Sequence, residues 1–318
     1  MSKTEHTGGR VLLALGVLLA ALFVLSFCLG RYGVDAGTTC RILLSPLLPL
    51  EPTWTDHEYT AVMNIRLPRI VLACLVGCCL SSAGAAYQGV FQNPILAGVG
   101  NQGTTLSAFF WSLATVVLVY LVGQRAPGDR VLNLVLAGMV ISSLFTAATS
   151  YLKLVADPTN QLPEITYWLM GSLSGTRLAD VARIAPAMAA GLLPLFLLRW
   201  KLNLLTLGDD EARAMGVNAP RLRFLTVVCA TLVTAASIAV SGMIGWVGLV
   251  VPHLCRKLVG SNFRVLLPCS MLAGAAFLLL VDNLSRNLLA TEIPIGILTA
   301  FTGAPFFLYL MLRKGGAR

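Results

Sequence analysis

The segment TLGDDEARAMGVNAPRLR, residues 206–223, sets three carboxylates in a row, Asp209, Asp210 and Glu211, and follows them with Arg213, Arg221 and Arg223. Those three are drawn from only 14 acidic residues in the whole chain. Both signs of charge over so short a distance make a surface suited to a complementary surface. Reaction chemistry would need more, and the rest of the chain does not supply it. The histidines His6, His57 and His253 lie far apart and none stands in an HExxH spacing. A P-loop needs a lysine after glycine to hold a nucleotide phosphate, and none of the five lysines follows one. Cys74 and Cys78 are one helical turn apart, which could hold a metal or a disulfide. Most of the eight cysteines, however, sit in apolar runs, where cysteine packs as a small polarizable residue.

The elements that must position the charged segment are apolar. Of 318 residues, 57% are hydrophobic and 12% charged, and the mean hydropathy is +0.80. A soluble domain carries about 25% charged residues. The deficit is concentrated in uncharged runs at 11–30, 70–124, 131–152, 184–198, 224–255, 265–281 and 293–312. Several exceed the roughly 20 residues that a helix needs to cross a bilayer core. The chain therefore reads as an all-α polytopic membrane protein, a single transmembrane domain over 1–318. The formal charge of +9 shows no basic face with aromatics of the kind a nucleic acid would require. Instead the basic clusters at 199–201, 213–223, 256–257 and 313–318 mark the cytoplasmic side.

Spans are expected at about 11–30, 65–91, 105–123, 131–155, 184–200, 224–241, 243–259, 265–284 and 295–312, with a polar loop over 31–65. The first is read as an uncleaved span. The second carries Gly77, Ser81, Ala85 and Gly89 at four-residue spacing, which lets helices approach closely where lipid gives no hydrophobic drive. The charged stretch becomes a cytoplasmic loop with two short helical turns joined by GVNAP. Gly208 and Asp209 start the first turn, Gly216 ends it and Pro220 begins the second. Lys153, Asp157 and Asp282 lie near span ends and are the few candidates for an ionisable relay in a stand-alone transporter or channel.

In order along the chain, IRLPRIVLACLVGCCLSSAGAAYQGVFQNP (65–94), LVLAG (134–138), YWLMGSLSG (167–175), LNLLTLGDDEARAMGV (202–217), SGMIGWVGLVVPHLCRKLVGSNFRVLLP (241–268) and EIPIGILTAFTGAPFFLYLML (292–312) resemble one family. It is that of the permease subunits of ATP-binding-cassette importers for iron-siderophores, haem and cobalamin. The resemblance implies the type II importer permease fold of about nine or ten transmembrane helices. It also implies a prokaryotic plasma (inner) membrane location with both termini cytoplasmic. The partners implied are a second copy of the chain, two ATPase subunits carrying ATP and Mg, and a periplasmic or lipid-anchored substrate-binding protein. No cofactor is expected on this chain. Leu207, Gly208, Asp209, Asp210, Glu211, Ala212, Arg213, Met215 and Gly216, with Ser261 and Arg264 of GSNFR, correspond to the surface that couples to the ATPase. Arg66, Arg69 and Arg286 correspond to outer-face positions that receive carboxylates of the binding protein. Asn93, Ile95, Trp168 and Gly171 fall in the pathway or its gate. The few charges along the pathway lining suit a large chelate better than a tightly coordinated bare ion.

The sequence departs from this family between FQNP and LVLAG, where it is short by roughly 20 residues. Counting crossings, Arg125 and Arg130 would then end outside, against the charge rule. Restoring parity needs one more crossing near 95–106: either a short buried segment replaces the third span, or a piece of that span is missing. About 12 residues reach only ~18 Å as a helix, against a core of ~30 Å. An irregular crossing packed on the second span, through Gly98, Gly100 and Gly103, is the expected solution.

Overall fold

Uncharged runs leave backbone amides and carbonyls no partner but each other, and in lipid that selects helices. The computed structural model describes residues 3–91, 102–125, 127, 130–206 and 209–314, and among these it is helical with no strands. The order is α1 (Lys3–Cys28), α2 (Ala36–Leu44), α3 (Asp56–Tyr59), a π-helical stretch (Thr60–Arg66) running into α4 (Leu67–Phe91), α5 (Gln102–Arg125), α6 (Arg130–Val155) and α7 (Gln161–Met170). Then follow α8 (Leu178–Leu197), α9 (Arg199–Leu205), α10 (Asp209–Ala214), α11 (Ala219–Ser241), α12 (Val247–Val259), α13 (Phe263–Asn287) and α14 (Ile295–Lys314).

Six described segments are long and apolar enough to cross a membrane: Gly8–Cys28, Asp56–Gln88, Leu132–Val155, Leu178–Leu197, Ala219–Ser241 and Phe263–Asn287. Ala114–Gly123 of α5 and Ile295–Tyr309 of α14 add shorter apolar stretches. At 13 residues, α12 reaches only ~20 Å, so the expected span 243–259 is a half-helix entered from irregular backbone.

The central element is α4, surrounded by α8, α11, α12 and α13. Glycines set two of these approaches. A Cβ on Gly77 would lie 2.2 Å from the Gly274 carbonyl of α13, and one on Gly84 only 1.9 Å from that of Gly248 on α12. Polar ties add direction: the Tyr87 hydroxyl meets Thr231 Oγ1 of α11 at 2.7 Å, and Gln88 Nε2 donates to Gly248 O at 3.1 Å. The small-residue face of α4 is therefore an interior face, as its spacing predicts. Helix α1 lies parallel to α13, with Gly8 beside Val265 at one end and Asn283 Nδ2 donating to Ser26 Oγ at the other.

Two expectations are corrected. The loop over 31–65 contains α2, capped by the Asp35 carboxylate, and α3, opened by a Thr55–Glu58 capping box. The second helical turn expected after GVNAP is the first turn of the 23-residue α11, capped by Asn218. Residues 92–101, which include Asn93, Ile95 and the first part of the short segment 95–106, lie outside the described residues. From Gln102 the chain is already α5, so Gly103 lies in a helix.

Candidate functional site

At the end of the bundle opposite the basic loops, three helices break at one level. Gly171 ends α7 with φ +71° and Gly242 ends α11 with φ +64°; α14 begins just beside them. Ser172 N donates to Ser241 O at 2.8 Å and Ile295 N to Gly171 O at 2.9 Å, so broken backbone pairs with broken backbone. The approach admits no side chain. A Cβ on Gly242 would sit 2.4 Å from Trp168 O, and one on Gly296 would sit 2.3 Å from Met170 O. Irregular backbone at such a depth is tolerated where protein shields it or where it borders a water-filled space. Here Ser172, Ser241, Gly242 and Pro294, at these breaks, line a cavity of about 810 Å³. Glu164, Tyr167, Trp168, Ser172, Asp180 and Glu292 are among its lining residues. Of the two residues expected in the pathway, Trp168 lines this cavity, and Gly171 precedes the lining residue Ser172 without being part of the lining itself.

Beside it lies a buried charge network. Arg69 Nε donates to Asp282 Oδ1 at 2.8 Å, and its Nη1 donates to Glu292 Oε1 and Oε2 at 2.9 and 3.0 Å. Arg286 Nε is 3.1 Å from Asp282 Oδ2, a charge contact without hydrogen-bond alignment, and its Nη2 donates to Asn283 Oδ1 at 2.6 Å. Arg66 donates to the carbonyls of Phe27 and Tyr32. Arg66, Arg69, Arg286 and Asp282 are all buried, whereas Glu292 keeps 36% of its side chain exposed where it lines the cavity. The three arginines, expected to present a docking surface, lie within this buried network. A guanidinium left unpaired in an apolar bundle is costly, and here carboxylates and carbonyls of the chain itself have taken all three. Asp282, expected near a span end as a relay candidate, is fully buried and held between two arginines.

At the basic end, α9, α10 and the turn before α13 lie together. Ala212 is buried, while Arg213 and Met215 are exposed. Val217 N donates to Ala212 O and Gly216 N to Arg213 O, closing α10 on a glycine with φ +75°. Asp209, Asp210 and Glu211 stand in α10; Leu207 and Gly208 lie outside the described residues. Ser261 is exposed on the turn before α13 and Arg264 in the first turn of α13, which Asn262 caps through Arg264 N at 3.0 Å. Asn203 of α9 ties this turn to the segment. Its Oδ1 accepts from Phe263 N at 2.8 Å and its Nδ2 donates to Asn262 Oδ1 at 3.1 Å.

Asn203, Asp282 and Glu292 are the positions that sequence reasoning missed or misread. The only signal for Asn203 was a lone amide in LNLL, and for Glu292 a carboxylate just ahead of the last apolar run. Among the described residues no group of three or more His, Cys, Asp or Glu side chains could hold a metal ion.

With this geometry in view, comparison with known proteins is specific. The FecCD transport family matches residues 18–100 and 96–313, two stretches that meet where the sequence is short. The molybdate import system permease of Haemophilus influenzae is 38% identical over 329 aligned positions, covering 96% of this chain and 97% of the relative. The hemin transport system permease of Yersinia pestis is 35% identical, covering 95% and 96%. Among solved structures, a metal-chelate type ABC transporter in an inward-facing conformation superposes with a TM-score of 0.79 at 36% identity, covering 96% of this chain and 99% of that one.

Proposed function

The chain belongs to the FecCD transport family and is the multi-pass permease subunit of an ATP-binding-cassette importer; on that premise we propose that it passes a metal chelate (iron-siderophore, haem or cobalamin) from a substrate-binding protein into the cytoplasm. The observation that carries the substrate class is the cavity. At about 810 Å³ it falls in the range of sites for drug-sized ligands, ~300–1,000 Å³. Its charged lining is Glu164, Asp180, Glu292 and Arg183. Arg183 is 3.6 Å from Asp180, and Glu292 is held by Arg69. Such a wall offers a bulky ligand shape and hydroxyls but no cation in excess. A second reading, passage of an oxyanion, is favoured by the name of the molybdate relative alone, and the excess of carboxylates in the cavity lining argues against it.

The basic end is assigned to the cytoplasm by the charge rule, with both termini there, in the prokaryotic inner membrane. The α9–α10 segment and the Ser261–Arg264 turn are then the ATPase-coupling surface; ATP and Mg belong to two ATPase subunits, and this chain needs no cofactor. A homodimer is supported by α6. In its middle Ser142, Ser143, Thr146 and Ser150 are exposed on an otherwise apolar helix, and hydroxyls of this kind are enriched where transmembrane helices meet. A pathway between two copies would cover them. The test is reconstitution with its ATPase and binding protein, measuring uptake of labelled iron-siderophore, haem, cobalamin and molybdate. ATP-dependent chelate uptake is expected. Uptake of molybdate alone would overturn the substrate class, and uptake without ATP would overturn the importer topology.

A further inference from the structure

The segment LLSPLLPL, residues 43–50, is not used by any of the machinery above, and its physical chemistry is unusual for a loop. It follows α2 at the end of the bundle away from the basic loops. Between Arg41 and Glu51 there is no charge. Ile42 is buried and Leu43 packs on the core, whereas Leu44, Leu47, Leu48 and Leu50 are all exposed, Leu47 at 80%. A loop of ordinary kind puts polar side chains outward and leaves its amides to water. This one does neither.

Every backbone donor of the exposed turn is already used or missing. Ser45 N donates to Arg41 O, Leu47 N and Leu48 N both donate to Leu44 O, and Leu50 N donates to Leu48 O. Positions 46 and 49 are prolines and carry no N–H. The Ser45 hydroxyl turns back onto Ile42 O at 2.8 Å. Water needs none of this economy, but hydrocarbon does, since it offers an unsatisfied amide no partner. The knob is also clasped at its base, where Arg41 Nη1 donates to Thr53 Oγ1 at 3.0 Å, so it keeps its shape without a partner protein.

Its surroundings are exposed and apolar. Helix α1, against which α2 packs, exposes Leu13, Val17, Leu18, Val24 and Leu25 along its length. The four leucines of the knob continue that apolar surface past the helix end. Tyr32 and Tyr59 are exposed at the same end, where an aromatic ring marks the headgroup level of a membrane. We propose that residues 43–50 form an interfacial anchor whose leucines insert into the leaflet on this side of the bilayer and fix the tilt and depth of α1 and of the π-helical entry to α4. The occupant is the acyl region of the lipid, because the knob has neither charge nor free donors with which to recognise a protein.

The test uses the intact importer assembly in vesicles of phosphatidylethanolamine and phosphatidylglycerol. A photoreactive benzoylphenylalanine replaces Leu47, and in parallel samples Leu13 or Glu51. After irradiation, intact-mass analysis should show a lipid adduct at position 47 comparable with that at position 13, and at least tenfold less at position 51. An adduct of position 47 with another protein chain would overturn the assignment in favour of a docking loop. Absence of a lipid adduct at position 47 while position 13 is labelled would overturn it in favour of a water-exposed loop.

Discussion

Replacing Asp282 by Asn tests whether the buried charge network is structural. The substitution keeps shape and removes one negative charge from a cluster of three arginines and two carboxylates. Asp282 is fully buried and meets Arg69 at 2.8 Å and Arg286 at 3.1 Å. Its neutralisation leaves Arg286 with no carboxylate and Arg69 with Glu292 alone, in a medium that cannot hydrate either. Removing one partner of a buried pair costs about 3–5 kcal/mol, a large share of a typical stability of ~5–15 kcal/mol. Glu292→Gln is the internal comparison, because that carboxylate is 36% exposed. Screening holds its pair to about 0–1 kcal/mol, and Arg69 keeps Asp282. For a domain of 150–250 residues, 1 kcal/mol moves Tm by about 2–4 °C, and by less in a longer chain. In mild detergent Asp282→Asn should therefore melt roughly 5–15 °C below the parent and Glu292→Gln within about 3 °C of it. Adding Arg286→Leu to an Asp282→Leu variant should recover most of the loss, since an apolar pair replaces a buried ion pair at little cost. Equal melting of Asp282→Asn and the parent would refute the reasoning, because a buried, paired carboxylate cannot be both essential to two arginines and dispensable.

Gly84→Ala places a Cβ 1.9 Å from the Gly248 carbonyl and should cost about 1–3 kcal/mol by overpacking; Gly16→Ala, with nothing within 4 Å, should not lower the same detergent melt. Asn203→Ala removes two hydrogen bonds to the turn at Asn262 and Phe263, about 1–3 kcal/mol together; substrate-stimulated ATP hydrolysis should fall while the ATPase still co-purifies. Reversing Asp209, Asp210 and Glu211 to Lys should leave membrane insertion intact and uncouple ATP hydrolysis, and unchanged transport with unchanged ATPase co-purification would remove the coupling assignment.

The sequence made the long elements readable because their signal is local. An uncharged run such as 265–281 announces a helix without reference to anything else, and α13 occupies it. The four-residue spacing from Gly77 told which face of α4 is interior. Short elements were less legible. Helix α2 has nine residues, too few for a period to stand out, although the capping box of α3 was present in the letters of Thr55 and Glu58. The burial of the arginines was illegible for a different reason. Their partners Asp282 and Glu292 lie 213 and 223 residues away from Arg69, so nothing near 66–69 distinguishes a surface cation from a buried one. The same holds for Gly84, whose need to be glycine exists only once Gly248 is against it.

The network and the cavity are joined through Glu292. That carboxylate lines the cavity, accepts both hydrogen bonds of Arg69 Nη1, and sits three residues before Ile295, whose amide holds Gly171 O. Its neighbour Ile293 is tied to the end of α13, donating from N to Ser285 O and accepting the Ser285 hydroxyl at 2.6 Å. The start of α14 is therefore pinned to α4 by charge, to α13 by two hydrogen bonds and to the end of α7 by backbone. Two of these ties are internal to the half of the bundle away from the basic loops, while the third crosses to the broken backbone beside the cavity. A change of cavity shape that moves α14 against α7 strains one amide bond and leaves the ion pairs intact. One that moves α14 against α4 must separate Arg69 from Glu292. Because that pair alone in the network reaches water, it is the tie that can be exchanged for solvent at least cost. The burial of Asp282 and the partial exposure of Glu292 thus divide the cluster into a fixed half that holds the bundle and a labile half at the cavity wall.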